Sequence, residues 1–185
     1  MKHNLMRMIS GKFMLAVALV VAVSACKKDD EKPSNNVTID GTVKGLKSAL
    51  FIYDATSSES PVDSKPYYRN ELVLFSSGLT NSGDELTGKG DFLDLEINGG
   101  SQTLEEGTYT FTGTEENSQA FQIWEASAAI GYDISTQKGE TYDFTSGAMV
   151  VTKSGDKYTI KVNAVAGSHV IVGTFTGSIT SVEEN

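Results

Sequence analysis

The chain has 185 residues, with 15 Lys and Arg against 24 Asp and Glu, one Cys and two His. That length suits one domain, and 21% charged with 39% hydrophobic residues is a globular composition, not a disordered acidic tail. Residues 1–25 hold three of the basic residues and no acid, so the chain from residue 26 carries 12 basic and 24 acidic side chains, a net charge near −12. A charge of that sign excludes an electrostatic role on nucleic acid or anionic lipid, both of which need clustered Lys and Arg.

At the N-terminus, Lys2, Arg7 and Lys12 precede an unbroken apolar run at 13–23 (FMLAVALVVAV), and Ser24, Ala25 and Cys26 follow. Such a run spans about 16 Å as a helix, half of a bilayer core, so it reads as a secretory signal rather than a membrane span. Cys26 is the sole cysteine and stands at the cleavage point. Val23-Ser24-Ala25-Cys26 resembles the lipobox of bacterial lipoproteins. The resemblance implies removal of residues 1–25, a diacylglycerol on the Cys26 sulfur and an acylated Cys26 amine. Two or more acyl chains make a stable anchor where one does not.

Lys28-Asp29-Asp30 resembles the lysine-then-acids export signal that follows the lipidated Cys in surface lipoproteins of the Bacteroidota. That resemblance implies an outer-membrane protein, anchored through Cys26 and facing the cell exterior. Residues 26–36, with their charges, Pro33, Ser34, Asn35 and Asn36, form a flexible tether.

From residue 37 to 185 the periodicity is two. Val37, Ile39, Gly41 and Val43 alternate with polar residues, as do Tyr109 and Phe111, and then Tyr158, Ile160, Val162 and Ala164. Each pattern predicts a strand with one buried face. Further strands are expected at 46–53, 68–76, 90–98, 141–153 and 169–180. Leu72-Val73-Leu74-Phe75 is apolar on both faces, as in a central strand. The stretch from Asp54 to Tyr67-Tyr68, with Pro61, Pro66 and four serines, reads as a long loop. Residues 119–130 (QAFQIWEASAAI) would also fit a helix, with Phe121, Trp124 and Ala128 on one face, but flanking strands and Gly131 favour a strand. Short turns after 153 and 166 imply antiparallel neighbours. The expected fold is all-β: a single antiparallel meander of eight or nine strands, either a β-sandwich or a flattened β-barrel. The pattern also resembles small Bacteroidota lipoproteins, a likeness that implies no activity.

Catalytic chemistry is sparse. Cys26 is consumed by lipid, His169 is the one His left after processing, and no Gly-x-Ser-x-Gly elbow accompanies it, so His169 reads as a turn residue. One His without a free thiol does not make a zinc site. Asp94 and Glu96 are the candidate acid pair of a glycan-active enzyme, but alternation with Leu93, Leu95 and Ile97 puts them on a solvated strand face. Asp84, Glu85 and Asp91 surround a glycine-rich stretch without the spacing of a Ca²⁺ loop, and Gly88-Lys89-Gly90 is too short for a phosphate cradle. No cofactor or metal is expected.

Recognition by aromatic side chains is the more open route. Tyr67, Tyr68 and Trp124 offer flat amphipathic surface for a sugar ring or a protein partner. In a strand, Tyr67 and Tyr68 must face opposite ways, so one is expected buried and the other accessible. The sequence thus points to a lipid-anchored surface protein that binds a glycan, a protein or an envelope component. A lipocalin-like carrier of a small apolar ligand is the alternative, and a glycan-active enzyme comes third.

Overall fold

A computed structural model describes residues 35–184. Cys26, Lys28, Asp29 and Asp30, and with them the lipidation and export motifs, lie outside the described residues. Among the described residues there is no helix, and the chain forms one curled sheet, a half-barrel.

β1 (Asn36–Ile39) and β2 (Thr42–Gly45) are the two arms of a hairpin, not the single strand that alternation predicts. Asp40 and Gly41 turn the chain with φ of 47° and 84°, the left-handed pair that a tight hairpin needs. β3 (Ser48–Glu59) and β4 (Pro66–Phe75) form a long hairpin, and most of the expected 54–68 loop is strand within it. β5 (Leu79–Ser82) folds back on the start of β6 (Glu85–Gly99). β7 (Gly107–Phe111) and β8 (Gln122–Asp133) follow, so residues 119–130 are largely strand. β9 (Lys138–Asp143) and β10 (Ser146–Ser154) replace one predicted strand. Between them the Phe144 N–H donates to the Ala126 carbonyl and that of Thr145 to Val165, which carries the chain from one neighbour to another. β11 (Lys157–Ala166) and β12 (His169–Gly177) complete the antiparallel meander that the turns predict, and β13 (Thr180–Glu183) ends the fold.

The order is β13-β3-β4-β6-β8-β7-β10-β11-β12-β1-β2, with β5 beside β6 and β9 beside β8. Two expectations fail here. The described residues form thirteen strands, and the sheet is mixed: β13 runs parallel to β3, and β7 runs parallel to β8. The extra strands arise because three predicted strands each divide where the chain changes partner or turns, and because β5 forms where no strand is expected. Asn35 fastens the start of the fold. Its side chain both donates to the Thr176 carbonyl and accepts from the Thr176 N–H, at 3.1 and 2.7 Å, while its carbonyl accepts from Leu46.

The concave face holds the main core. Phe51, Tyr109, Met149, Ile160 and Phe175 are essentially inaccessible, and complete burial of each such side chain contributes roughly 1.5–3 kcal/mol. Gly173 allows close approach across this core, since a Cβ there would stand 2.6 Å from Leu93 Cδ1. On the convex face a second cluster joins Leu50, Ile52, Val73, Phe75 and Leu79, with Leu86, Phe92, Ile134 and Val182 packed against it. β4 is therefore apolar on both faces because both faces are covered.

Candidate functional site

The polar part of the convex face lies on β4, β6 and β8. Leu72 and Leu74 enter the concave core, so alternation places Tyr67, Arg69, Glu71 and Val73 on the other side. Register sets Arg69 beside Asn98, Glu71 beside Glu96, and Val73 beside Asp94. On β8, Gln122 pairs with Asn98, Glu125 with Glu96 and Ser127 with Asp94. One extra β8 residue, Trp124, interrupts this register between Glu125 and Ile123, and such a bulge re-aims a side chain. The Arg69 guanidinium lies 5.9 Å from the Trp124 ring centroid and meets Glu115 Oε2 at 2.5 Å. That ion pair is about half exposed, so it contributes only about 0.2–1 kcal/mol.

Trp124 borders a slot in the sheet. The first part of β8 pairs with β7, and Thr112 donates to the Ile123 carbonyl at 2.8 Å; farther on β8 pairs with β9, and Phe144 donates to the Ala126 carbonyl at 2.8 Å. Where β7 and β9 diverge, a cavity of about 660 Å³ opens, lined by Phe111, Trp124 and Phe144, by Thr112, Thr114 and Thr145, and by Glu115, Glu125 and Asp143. Apolar rings bordered by hydroxyls and carboxylates can stack on a sugar ring and hydrogen-bond its hydroxyl groups.

Next to this slot on the same face, Glu71, Asp94 and Glu96 each bring a carboxylate oxygen within 4.8 Å of the others. Burial and the Asp94 charge push the Glu71 carboxyl up to about 8. Burial, then Asp94 and Glu125, push Glu96 up to about 7. Asp94 is also raised by burial, although a hydrogen bond with Glu71 works against the rise. Three such oxygens offer the donor set of a hard divalent cation, but a Glu71 carboxyl raised to about 8 and a Glu96 carboxyl raised to about 7 retain protons near neutral pH that a cation would have to displace. The solvated face expected for Asp94 and Glu96 is therefore not observed. Leu79, Leu86 and Val182 pack over the neighbouring convex face, and an alternating pattern does not reveal such a cover. A second cavity of about 440 Å³ reaches Glu71 and Asp94 between Val73, Phe92, Glu85 and Ile134.

The predicted binding residues divide between the faces. Tyr67 is 6% exposed and interacts with Arg69 on the convex side, Tyr68 is half-buried on the opposite face, and Trp124 is half-buried at the slot. Tyr67 and Trp124 thus meet through Arg69, whereas Tyr68 points away. Asp91 accepts the Gly131 N–H at 2.7 Å, and Asp84 and Glu85 border the second cavity. Gly88, Lys89 and Gly90 lie within β6. His169 Nδ1 meets Asp40 Oδ2 at 2.6 Å, and Asp40 Oδ1 accepts the Val170 N–H at 2.9 Å. The pair braces the β1–β2 turn against β12, and the His169 hydrogen bond holds the Asp40 carboxyl below its usual range. Arg69, Glu71, Asn98 and Glu115 escape a reading of the sequence because only the pairing of β4 with β6, and the path after β7, bring them to this face. No family model matches the chain, and no curated protein or solved structure is significantly similar to it.

Proposed function

We propose that the chain is a lipid-anchored, outward-facing outer-membrane protein that binds a hydroxyl-rich ligand of the glycan class in the slot beside Trp124. The observation that carries this reading is the half-buried Trp124 at the edge of a 660 Å³ slot where the sheet divides. The ring supplies a stacking surface, and Glu115, Glu125 and Asp143 supply carboxylate acceptors for sugar hydroxyls, beside the side chains of Thr112, Thr114 and Thr145. The anchor rests on Val23-Ser24-Ala25-Cys26 and Lys28-Asp29-Asp30. A lipocalin-like carrier gains less support, because Tyr109, Phe51 and Phe175 fill the concave side.

Affinity electrophoresis tests the reading. In gels cast with soluble starch, yeast mannan or xylan, at least one polysaccharide should retard the wild type and not Trp124→Ala. No retardation in any gel, or equal retardation of both proteins, would contradict it.

A further inference from the structure

Among the described residues, four polar atoms on the convex face are buried without a hydrogen-bond partner: Asp94 Oδ1 in the acid cluster, and Asn98 Nδ2, Asn98 Oδ1 and Trp124 Nε1. Asn98 is 1% exposed. Its strand alternation puts it beyond Glu96 on the convex side, flanked in register by Arg69 and Gln122. An amide with both ends unsatisfied is a cost that folded proteins seldom keep without a use.

The segment after β7, residues 112–121, covers this spot. Phe121 N–H donates to the Asn98 carbonyl at 2.7 Å, Gln119 N–H donates to Gln122 Oε1 at 3.0 Å, and Ser118 is 3% exposed. Glu115 fastens the segment's middle to Arg69. At its end Phe121 has φ of 64°, a left-handed conformation that is strained for a bulky residue. The segment's ends are held by these backbone bonds and by the Phe121 ring against Tyr109 at 5.2 Å, whereas its middle is held to β4 by the exposed Arg69–Glu115 pair.

We infer that residues 112–121 form a lid over a covered saccharide subsite, in which the Asn98 amide and the Trp124 indole N–H take ligand hydroxyls once the Arg69–Glu115 pair opens. The inference rests on the glycan-binding reading and extends it from the open slot to the face beneath the lid. Asn suits the task because its amide donates and accepts side by side, as a pair of neighbouring sugar hydroxyls does. Opening also releases the Arg69 donors to the same ligand.

Trp124 is the single tryptophan, so its emission reports this face alone. In full-length protein without ligand, Glu115→Gln should at least double the acrylamide quenching of that emission; unchanged quenching would overturn the lid. Binding is then titrated with whichever of starch, mannan or xylan retards the wild type. Asn98→Leu should weaken it at least tenfold while the unfolding temperature stays level or rises, because an unpaired buried amide gives way to an apolar side chain of similar size. Wild-type affinity in Asn98→Leu, or a lowered unfolding temperature, would overturn the subsite and leave slot binding standing. Absence of polysaccharide binding by the wild type, with quenching still raised by Glu115→Gln, would instead overturn the glycan reading and the subsite's ligand class, leaving only a movable segment.

Discussion

Arg69 stands over the indole of Trp124, 5.9 Å from its centroid, although the two residues belong to strands separated by β6. The contact joins the slot to the polar convex face. Trp124 reaches it because the β8 bulge displaces the ring from regular alternation. Arg69 also reaches Tyr67 and Glu115, so one guanidinium holds together β4, β8 and the segment after β7.

The carboxyl cluster makes stability depend on pH in a defined direction. Glu71 and Glu96 rise from their ordinary 4.5 to about 8 and about 7 in the folded chain. Above pH 4.5 the unfolded chain releases protons that the fold retains, so their contribution is full below pH 4.5 and lost as pH rises through 7 to 8. Urea unfolding should therefore show lower stability at pH 8 than at pH 5, and Glu71→Gln should remove roughly 1–3 kcal/mol of that difference. Asp40, Asp54, Asp63 and Asp133 have lowered carboxyls and act in the opposite sense only in acid. A flat profile from pH 5 to 8, unchanged in Glu71→Gln, would contradict the burial of the cluster.

The filled concave side predicts that core truncation is costly. Phe175 is 2% exposed and faces the interior from β12. Phe175→Ala should destabilise by about 3–5 kcal/mol in denaturant unfolding. A loss below about 1 kcal/mol would indicate internal space that the packing does not contain, and would revive the carrier reading.

The proposed anchor is tested separately. Cys26→Ser should abolish acylation and leave unprocessed or soluble protein, as followed by detergent partitioning. Replacing Lys28, Asp29 and Asp30 by Ala should preserve lipidation and lower labelling of intact cells by a membrane-impermeant reagent. Unchanged partitioning of Cys26→Ser would end the lipoprotein reading, and unchanged labelling of the triple variant would reduce Lys28-Asp29-Asp30 to tether.

The faces of the strands were legible in the sequence, and their pairing was not. Alternation around Tyr109, Ile160 and Val162 identifies side chains that are 0–1% exposed, because a period of two needs no knowledge of the neighbouring strand. Ser57 and Ser58 read as loop from their local preference, yet they pair with Tyr68 and Tyr67 in the long hairpin, where the cross-strand partners decide the conformation. Trp124 was visible as the single tryptophan, but its slot depends on β7 and β9 diverging from β8. The acid cluster depends on register in the same way: Glu71 becomes a partner of Glu96 only because β4 and β6 are neighbours.

The most direct measurement of the central claim is the emission of Trp124 during titration with a soluble polysaccharide that retards the protein. The account predicts a saturable blue shift, as the half-buried indole at the slot loses water to the sugar, and loss of both retardation and saturation in Phe111→Ala, which removes a second ring lining the slot. Binding that leaves Trp124 emission unchanged would place the ligand elsewhere on the molecule and contradict the slot as the recognition site.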